Sequence, residues 1–549
     1  MITRSHERAT AVRAALAGVA ALLGYWALVI ALQHWSGAPR AAFDGYPDEP
    51  SHYVSGLMVR EYLTSGLSRT PTAFAQDYYL HVPYFAVGYW PPLFYVAEAL
   101  WMLCFGPGRG AVLLLIALIA ALSATLIFMV LRSSVGALAA FGLGVVFLLL
   151  PIVESSSRLV MTDLPVTILG FGALIALASY LESERIRPLL IFTLLAAMTI
   201  LTKGSGLYLL GVLPAALIVT GRWRWFLRWS FWLAPLGVAL LCAPWYVISQ
   251  TFLTRGFLAR TEFTTALRVL GWDTVRDLGV LTPFVVWGVW TCVRTRPIPP
   301  LAAICILQPV VLAVFLMTAP VIVEPRYMTP ALPPLVVLAG YGIHSIARLS
   351  RRERTVGLAL TGLLVITAAF RIYAAAPVPV ANAVRPVAEF VVGHTNPPYR
   401  SMMASADAEG PMIAEIAQIE PQSTARYLIR PSKVLAHMDW LGRNYEQLHA
   451  STEQMQALFD RMPVEVVILR SNPGPGALPH ERMLAETIHA SPARWRRVYP
   501  PAGQGSPYEA YEPVRTEPAE PGALEQFLRH EMTLPGTAAL LEKSDRSTP

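Results

Sequence analysis

Charged side chains are scarce in this 549-residue chain: Asp, Glu, Lys and Arg make up 14% of it, against about a quarter in ordinary soluble domains. With 54% hydrophobic residues, that shortage excludes an ordinary cytosolic enzyme. It equally excludes a disordered chain, which needs high charge and low hydrophobicity. Cysteine is rarer still. Cys104, Cys242, Cys292 and Cys305 all lie in apolar surroundings, so a disulfide framework is not expected. The sequence also lacks a glycine-rich phosphate loop, CxxC and HExxH metal patterns, repeats at solenoid spacing and Asn-x-Ser/Thr sequons.

What the chain does have is long apolar runs, and these make it an integral membrane protein. A spanning helix needs roughly 17–25 mostly apolar residues. Eleven candidates follow: 13–34, 110–131, 135–153, 163–181, 187–202, 205–221, 229–250, 279–293, 299–318, 328–347 and 355–374. The first is read as an uncleaved signal-anchor, its apolar run exceeding a usual signal-peptide core. The stretch 91–106 opens with two prolines, carries Glu98 and is short for a span. Charge decides its status. The net charge of +7 comes from 43 Lys and Arg against 36 Asp and Glu, and short loops rich in Lys and Arg face the cytoplasm. If 91–106 does not span, Arg132, Arg185, Arg187, Arg222, Arg224, Arg228, Arg294, Arg296, Arg348, Arg351, Arg352 and Arg354 share the side of the basic N-terminus. If it does span, every later basic loop lands outside. The stretch is therefore expected to be a helix lying in the outer interface.

That parity leaves a long outer loop over 35–109, a second over 251–278, and an outer tail. From 375 to 549 charge and proline rise and no long apolar run remains. Strand-like runs (Ser401–Ala404, Arg426–Ile429, Val464–Leu469) alternate with helix-like ones (Ala383–Val392, Tyr445–Arg461, Glu481–Ala490). The expectation is a multi-pass α-helical membrane region, 1–374, followed by a small soluble α/β domain, 375–549, with a ragged end after about 500. The membrane is expected to be the cell inner membrane and the tail periplasmic.

The span centres after residue 110 carry no Asp, Glu, Lys or Arg, whereas pumps and transporters tend to bury such groups there. The polar residues collect instead at outer helix ends. The first cluster runs Asp44-Gly-Tyr-Pro-Asp48-Glu49-Pro50-Ser51-His52-Tyr53, just before a helix-like run over Ser51–Leu63. Asp48 and Glu49 have two readings: N-terminal helix caps, or a general base held beside the bilayer. His52 is read first as a hydrogen-bonded histidine and second as a metal ligand. The second cluster is Glu154-Ser-Ser-Ser-Arg158-Leu-Val-Met-Thr162-Asp163-Leu-Pro165, where Asp163 is again a cap or a functional acid. The third group is cationic: Arg109, Lys203, and Arg326 within Glu324-Pro-Arg326-Tyr327. Each could simply snorkel; together with the acids they could bind a phosphate and activate a nucleophile. Tyr78, Tyr79, Tyr84, Phe85, Tyr89 and Trp90 read as an interfacial aromatic belt.

Taken in order, these motifs resemble the GT-C membrane glycosyltransferases. The likeness is to the dolichyl-phosphate-mannose–protein mannosyltransferases and their bacterial relatives, the lipid A aminoarabinose transferases. It rests on the Asp-Glu pair of the first outer loop, the Pro-Pro-Leu helix, Arg158…Thr162-Asp163-Leu-Pro165, Leu201-Thr202-Lys203-Gly204 and Arg326-Tyr327…Pro330…Leu332-Pro333. It covers about residues 10–350. The resemblance implies a sugar donor on a polyprenyl phosphate, with Asp48, Glu49 and Asp163 as catalytic acids. It implies Arg109, Arg158, Lys203, Arg326, Tyr327 and His52 as substrate-binding residues. No metal is assigned; a divalent ion is possible in the family but not indicated, and no other cofactor is expected. One departure stands out: the aminoarabinose transferases have a Glu-Lys pair where this chain has Tyr89-Trp90 before Pro91-Pro92. Two rival functions remain, a flippase for lipid-linked sugars and an outer α/β domain merely anchored by the spans. Neither sugar nor acceptor is specified, and no nucleic-acid partner is implied.

Overall fold

A computed structural model describes residues 2–86, 88–250, 260–375, 382–395, 401–403, 408–422, 426–438, 445–462, 464–472, 474–514 and 521–531. Because a bilayer offers backbone groups no partners, spanning sequence must close its own hydrogen bonds as helix, and the apolar runs do so. Among the described residues seven helices are long and apolar enough to cross a membrane. They include α1 (Ile2–Trp35), α5 (Arg109–Val135) and α8 (Asp163–Ser183). The remaining expected spans are shorter: α9 (Ile186–Thr202), the stretch Gly204–Val219 and the helix Thr282–Arg294.

The expected span 135–153 differs from a single helix. α6 (Ala137–Leu148) stops and α7 (Pro151–Ser157) starts after a bend of 69°. Pro151 has no N–H for the preceding turn and suits a helix start, so the chain breaks there. The bend carries Glu154 and the following Arg158 to the end of the bundle that holds the polar residues.

The 91–106 stretch forms α4 (Leu93–Phe105), which buries Phe94, Tyr95, Glu98 and Met102. It packs on α2 (Glu49–Glu61), the helix expected over Ser51–Leu63. Gly56 makes that contact possible: a Cβ there would collide with the Glu98 carboxyl. Elsewhere Thr282–Arg294 and Leu332–Ala347 meet backbone to backbone. A Cβ at Gly288 would strike the Leu338 carbonyl, and one at Gly342 that of Phe284, the small-residue contact by which membrane helices gain packing energy.

After residue 382 the described residues form a five-stranded sheet in the order β2-β1-β5-β7-β6. β1 (Ser401–Met403) lies parallel to β2 (Tyr427–Ile429) and β5 (Val466–Arg470), pairing Met402 with Leu428 and Val466. Central β5 reads as an unbroken apolar run because both its faces are covered. β6 (Trp495–Tyr499) and β7 (Tyr508–Pro513) are antiparallel; they correct the expectation of a ragged end after about 500. Short strands interrupted by Pro500, Pro501, Pro507 and two glycines give little period-2 signal. A small hairpin of β3 (Ala436–His437) and β4 (Glu446–Gln447) accompanies the sheet, so Tyr445–Arg461 is helical only from Thr452. Ala404 lies outside the described residues.

This region rests on the loop between α1 and α5. The Arg109 N–H donates to Gln418 Oε1 at 2.7 Å, His81 Nδ1 to the Arg426 carbonyl at 3.0 Å, and Arg430 Nη1 to the Pro83 carbonyl at 3.1 Å. Tyr78, Tyr79 and Phe85 are buried here. The aromatic stretch is thus mainly a packed floor for the tail rather than a belt facing lipid.

Candidate active site

Four chain segments meet at the polar end of the bundle. Arg326 is the junction. Its Nη2 donates to Asp48 Oδ2 at 2.9 Å, its Nη1 to Asp163 Oδ2 at 3.2 Å, and its Nε to Glu324 Oε2 at 2.6 Å. The guanidinium also lies over the Tyr46 ring at 4.0 Å. Lys203 Nζ holds the other oxygen of Asp163, Oδ1, at 2.6 Å and sits 4.5 Å from the Tyr327 ring centre. Asp48, Asp163, Lys203, Arg326 and Tyr327 therefore form one cluster.

Local structure explains how they get there. Asp48 occupies the N-cap position of α2 but makes no capping hydrogen bond; its carboxylate turns to Arg326 instead. Asp163 opens α8, and the Thr162 side chain makes no cap either. Lys203 ends α9 in extended backbone, which swings its side chain off the helix axis. Arg326 stands in the short 3-10 helix Pro325–Ala331 before Leu332–Ala347, and the Thr329 hydroxyl bonds the Arg326 carbonyl. Capping and snorkelling are both set aside by this geometry, since every one of these groups has an oppositely charged partner.

The environment shifts the charges. Burial raises the Asp48 carboxyl above the usual carboxylate range, opposed by the Arg326 charge and hydrogen bond. Burial lowers the Lys203 ammonium, and Asp163 opposes that shift. Around one guanidinium and one ammonium stand three carboxylates, Asp48, Asp163 and Glu324. The three nitrogens of Arg326 are all engaged, whereas Lys203 has one carboxylate contact and lines a cavity. That cavity has a volume of about 340 Å³ and is walled mostly by apolar groups, among them Trp90, Pro91, Trp245, Phe315 and Val321. Tyr89 and Trp90, which replace the expected Glu-Lys pair, belong to its wall.

Other expected site residues go elsewhere. Glu49 and Arg109 form a separate buried pair: Arg109 Nη2 lies 2.6 Å and Nε 3.1 Å from Glu49 Oε1. The Val160 N–H donates to the same oxygen at 3.1 Å, and Arg109 also donates to the Ala38 and Arg158 carbonyls. This pair clamps the loop before α2 to the loop before α8. Arg158 itself bonds Glu154 Oε2 at 2.7 Å and lines a different cavity, of about 420 Å³, with Asp277 and Arg371. His52 Nδ1 is 2.8 Å from Tyr95 Oη and its ring meets Trp90 edge-on. Burial first, then the nearby Arg326 and Lys203 charges, push its pKa down to about 3, so it stays neutral. Among the described residues no group of three His, Cys, Asp or Glu side chains could hold a metal ion.

Two participants were not singled out from sequence. Tyr46 stacks on Arg326, and Glu324 holds it two residues away. Both lie inside motifs already marked, and proximity to Asp48 and Arg326 was the available signal.

The architecture is a multi-pass helical bundle with a polar cluster at one end and a mixed α/β region seated on that end. Residues 90–248 match the dolichyl-phosphate-mannose-protein mannosyltransferase family. Among solved structures, ArnT from Cupriavidus metallidurans bound to undecaprenyl phosphate superposes with a TM-score of 0.61, covering 91% of this chain and 99% of that one at 13% identity. The apo state of the same ArnT gives 0.61, 91% and 98% at 14% identity. Likeness at that identity is one of fold. No curated protein sequence matches the chain.

Proposed function

We propose that the chain is a glycosyltransferase that moves a sugar from a polyprenyl phosphate to an acceptor hydroxyl at the outer face of the cytoplasmic membrane. The observation that carries this reading is the Asp48–Arg326–Asp163–Lys203 cluster, set at the edge of an apolar cavity. The mannosyltransferase family match and the ArnT-like fold support a lipid-phosphate-linked donor. The flippase reading has no comparable support, because the ionisable cluster sits at helix ends rather than along a path through the bundle.

Asp48 takes the proton of the acceptor hydroxyl as its oxygen bonds to the anomeric carbon. The carbon–oxygen bond to phosphate breaks, and its electron pair leaves with the polyprenyl phosphate. Lys203 supplies the free N–H groups for that phosphate, taking the role of the lysine that Tyr89-Trp90 lacks. Arg326 holds Asp48 and Asp163 in place, and the nearby carboxylates stabilise the positive charge that develops on the sugar ring. Lipid tail fits the apolar wall near Trp245 and Phe315. The sugar is a hexose or pentose, and the acceptor is a protein, lipid or glycan; the tail after 375 is periplasmic and covers the acceptor side.

The test is transfer by the full chain in lipid nanodiscs, with a radiolabelled polyprenyl-phosphate sugar and acceptor from native membrane extract. Asp48→Asn is expected to lower kcat by about 100- to 10,000-fold, the range for a lost general base, with donor binding retained. Lys203→Met is expected to raise the donor KM. Undiminished transfer by Asp48→Asn overturns the role of Asp48. Donor movement across the bilayer without a new glycosidic bond overturns the enzyme reading.

A further inference from the structure

Helix α5 carries Arg109 at one end and Arg132 in its last turn at the other. Its 27 residues, at 1.5 Å each, separate those ends by about 40 Å. At the Arg132 end, opposite the candidate active site, lies a cavity of about 700 Å³. It is formed where α5 turns into α6 and where Leu332–Ala347 meets Glu353–Ala374.

Its lining is made for an anion. Arg132 and Arg354 both border it, and among the described residues neither guanidinium has a carboxylate partner. His344 and Glu353 also line it but face each other, with Nδ1 and Oε1 3.4 Å apart. The N-terminus of 12-residue α6 opens into the same space after Gly136. The first N–H groups of a helix have no partner within it and carry partial positive charge. The hydroxyl-bearing residues Ser133 and Ser134 complete the polar side. The rim is different: Leu138 is 74% exposed and Leu358 41% exposed, and both belong to apolar helices.

We propose that this cavity binds a phosphate group, and that the phosphate is the head group of an anionic membrane lipid. Arg132 and Arg354 grip it from two helices, and the acyl chains run along Leu138 and Leu358. Arginine suits phosphate because its planar fork donates two parallel hydrogen bonds. Basic pockets between membrane helices recognise lipid head groups in this way. The proposal does not depend on the reaction at the opposite end.

The experiment uses the full chain in nanodiscs of mixed phosphatidylcholine and phosphatidylglycerol, counting co-purifying lipid by native mass spectrometry. Wild type is expected to retain phosphatidylglycerol preferentially, and Arg132→Gln/Arg354→Gln to retain roughly 30-fold less. Arg354→Gln alone, an exposed change that spares the fold, is expected to lose about fivefold. Arg351→Gln, outside the cavity, is expected to lose nothing. A second arm measures thermal stabilisation of delipidated protein by inorganic phosphate. A shift there that Arg132→Gln/Arg354→Gln abolishes, without a lipid preference, supports the phosphate site with free phosphate as its source. Equal lipid retention and equal phosphate response in wild type and both cavity variants overturns the proposal.

Discussion

Arg326 Nη2 and Asp48 Oδ2 lie 2.9 Å apart although 278 residues separate them in the chain. The contact ties the loop after α1 to the segment before a late span, and through Nη1 it includes Asp163 as well. An acid that could have capped its own helix is instead held by a cation from the far end of the membrane region. This makes Asp48 responsive to Arg326 in ways that can be measured.

The first consequence concerns pH. The base form of Asp48 is the carboxylate, present above its pKa and lost as pH falls through it. Burial raises that pKa, so the acid limb of kcat/KM should lie above the ordinary carboxylate range. Arg326 pulls the pKa back down. The residual activity of Arg326→Gln should therefore show its acid limb moved to higher pH, by about one to three units. An unmoved limb in the pH–rate profile would show that Asp48 is not the titrating base.

Glu49 and Arg109 should behave differently from Asp48. Their side chains are 0% and 3% exposed, and removing one member leaves a buried charge alone, at about 3–5 kcal/mol. Glu49→Ala and Arg109→Ala are expected to lower the unfolding temperature in detergent sharply. Asp48→Asn should leave it nearly unchanged. Thermal melts followed by intrinsic tryptophan fluorescence separate the two classes.

Glu98 is fully buried, and among the described residues neither of its carboxyl oxygens has a hydrogen-bond partner. Burial holds its pKa well above the usual range, so it is a neutral acid in the folded protein. The unfolded chain releases that proton near pH 4.3. Stability should thus be greatest below that value and fall as pH rises toward the folded pKa. Glu98→Gln should remove this slope and raise the unfolding temperature at pH 8 relative to wild type, as read from paired melts at pH 5 and pH 8.

The contact between Thr282–Arg294 and Leu332–Ala347 leaves no room for a methyl group at Gly288 or Gly342. Gly342→Ala must force the helices apart, and overpacking of this kind costs about 1–3 kcal/mol. Gly362, with open space around it, is the matched control. Gly362→Ala should be neutral or slightly stabilising in the same detergent melt.

Much of this protein is legible in its sequence. Apolar run length dictates helices because an unpaired backbone group in hydrocarbon is costly. The Lys and Arg pattern separates the two ends of the bundle, and the structure gathers Asp48, Asp163, Lys203 and Arg326 at one end and Arg132 and Arg354 at the other. Those are one-dimensional properties, set by composition and spacing. Which cation meets which acid is not. Arg109, Lys203 and Arg326 look alike in the sequence, each a lone basic residue at a helix end. Only packing directs Arg109 to the buried Glu49, leaves Lys203 bordering an apolar cavity and centres Arg326 among three carboxylates. The same holds for the pairing of β5 with β7. An ion pair or a strand pair depends on where distant segments come to rest, and that is decided by side-chain volume and burial in three dimensions.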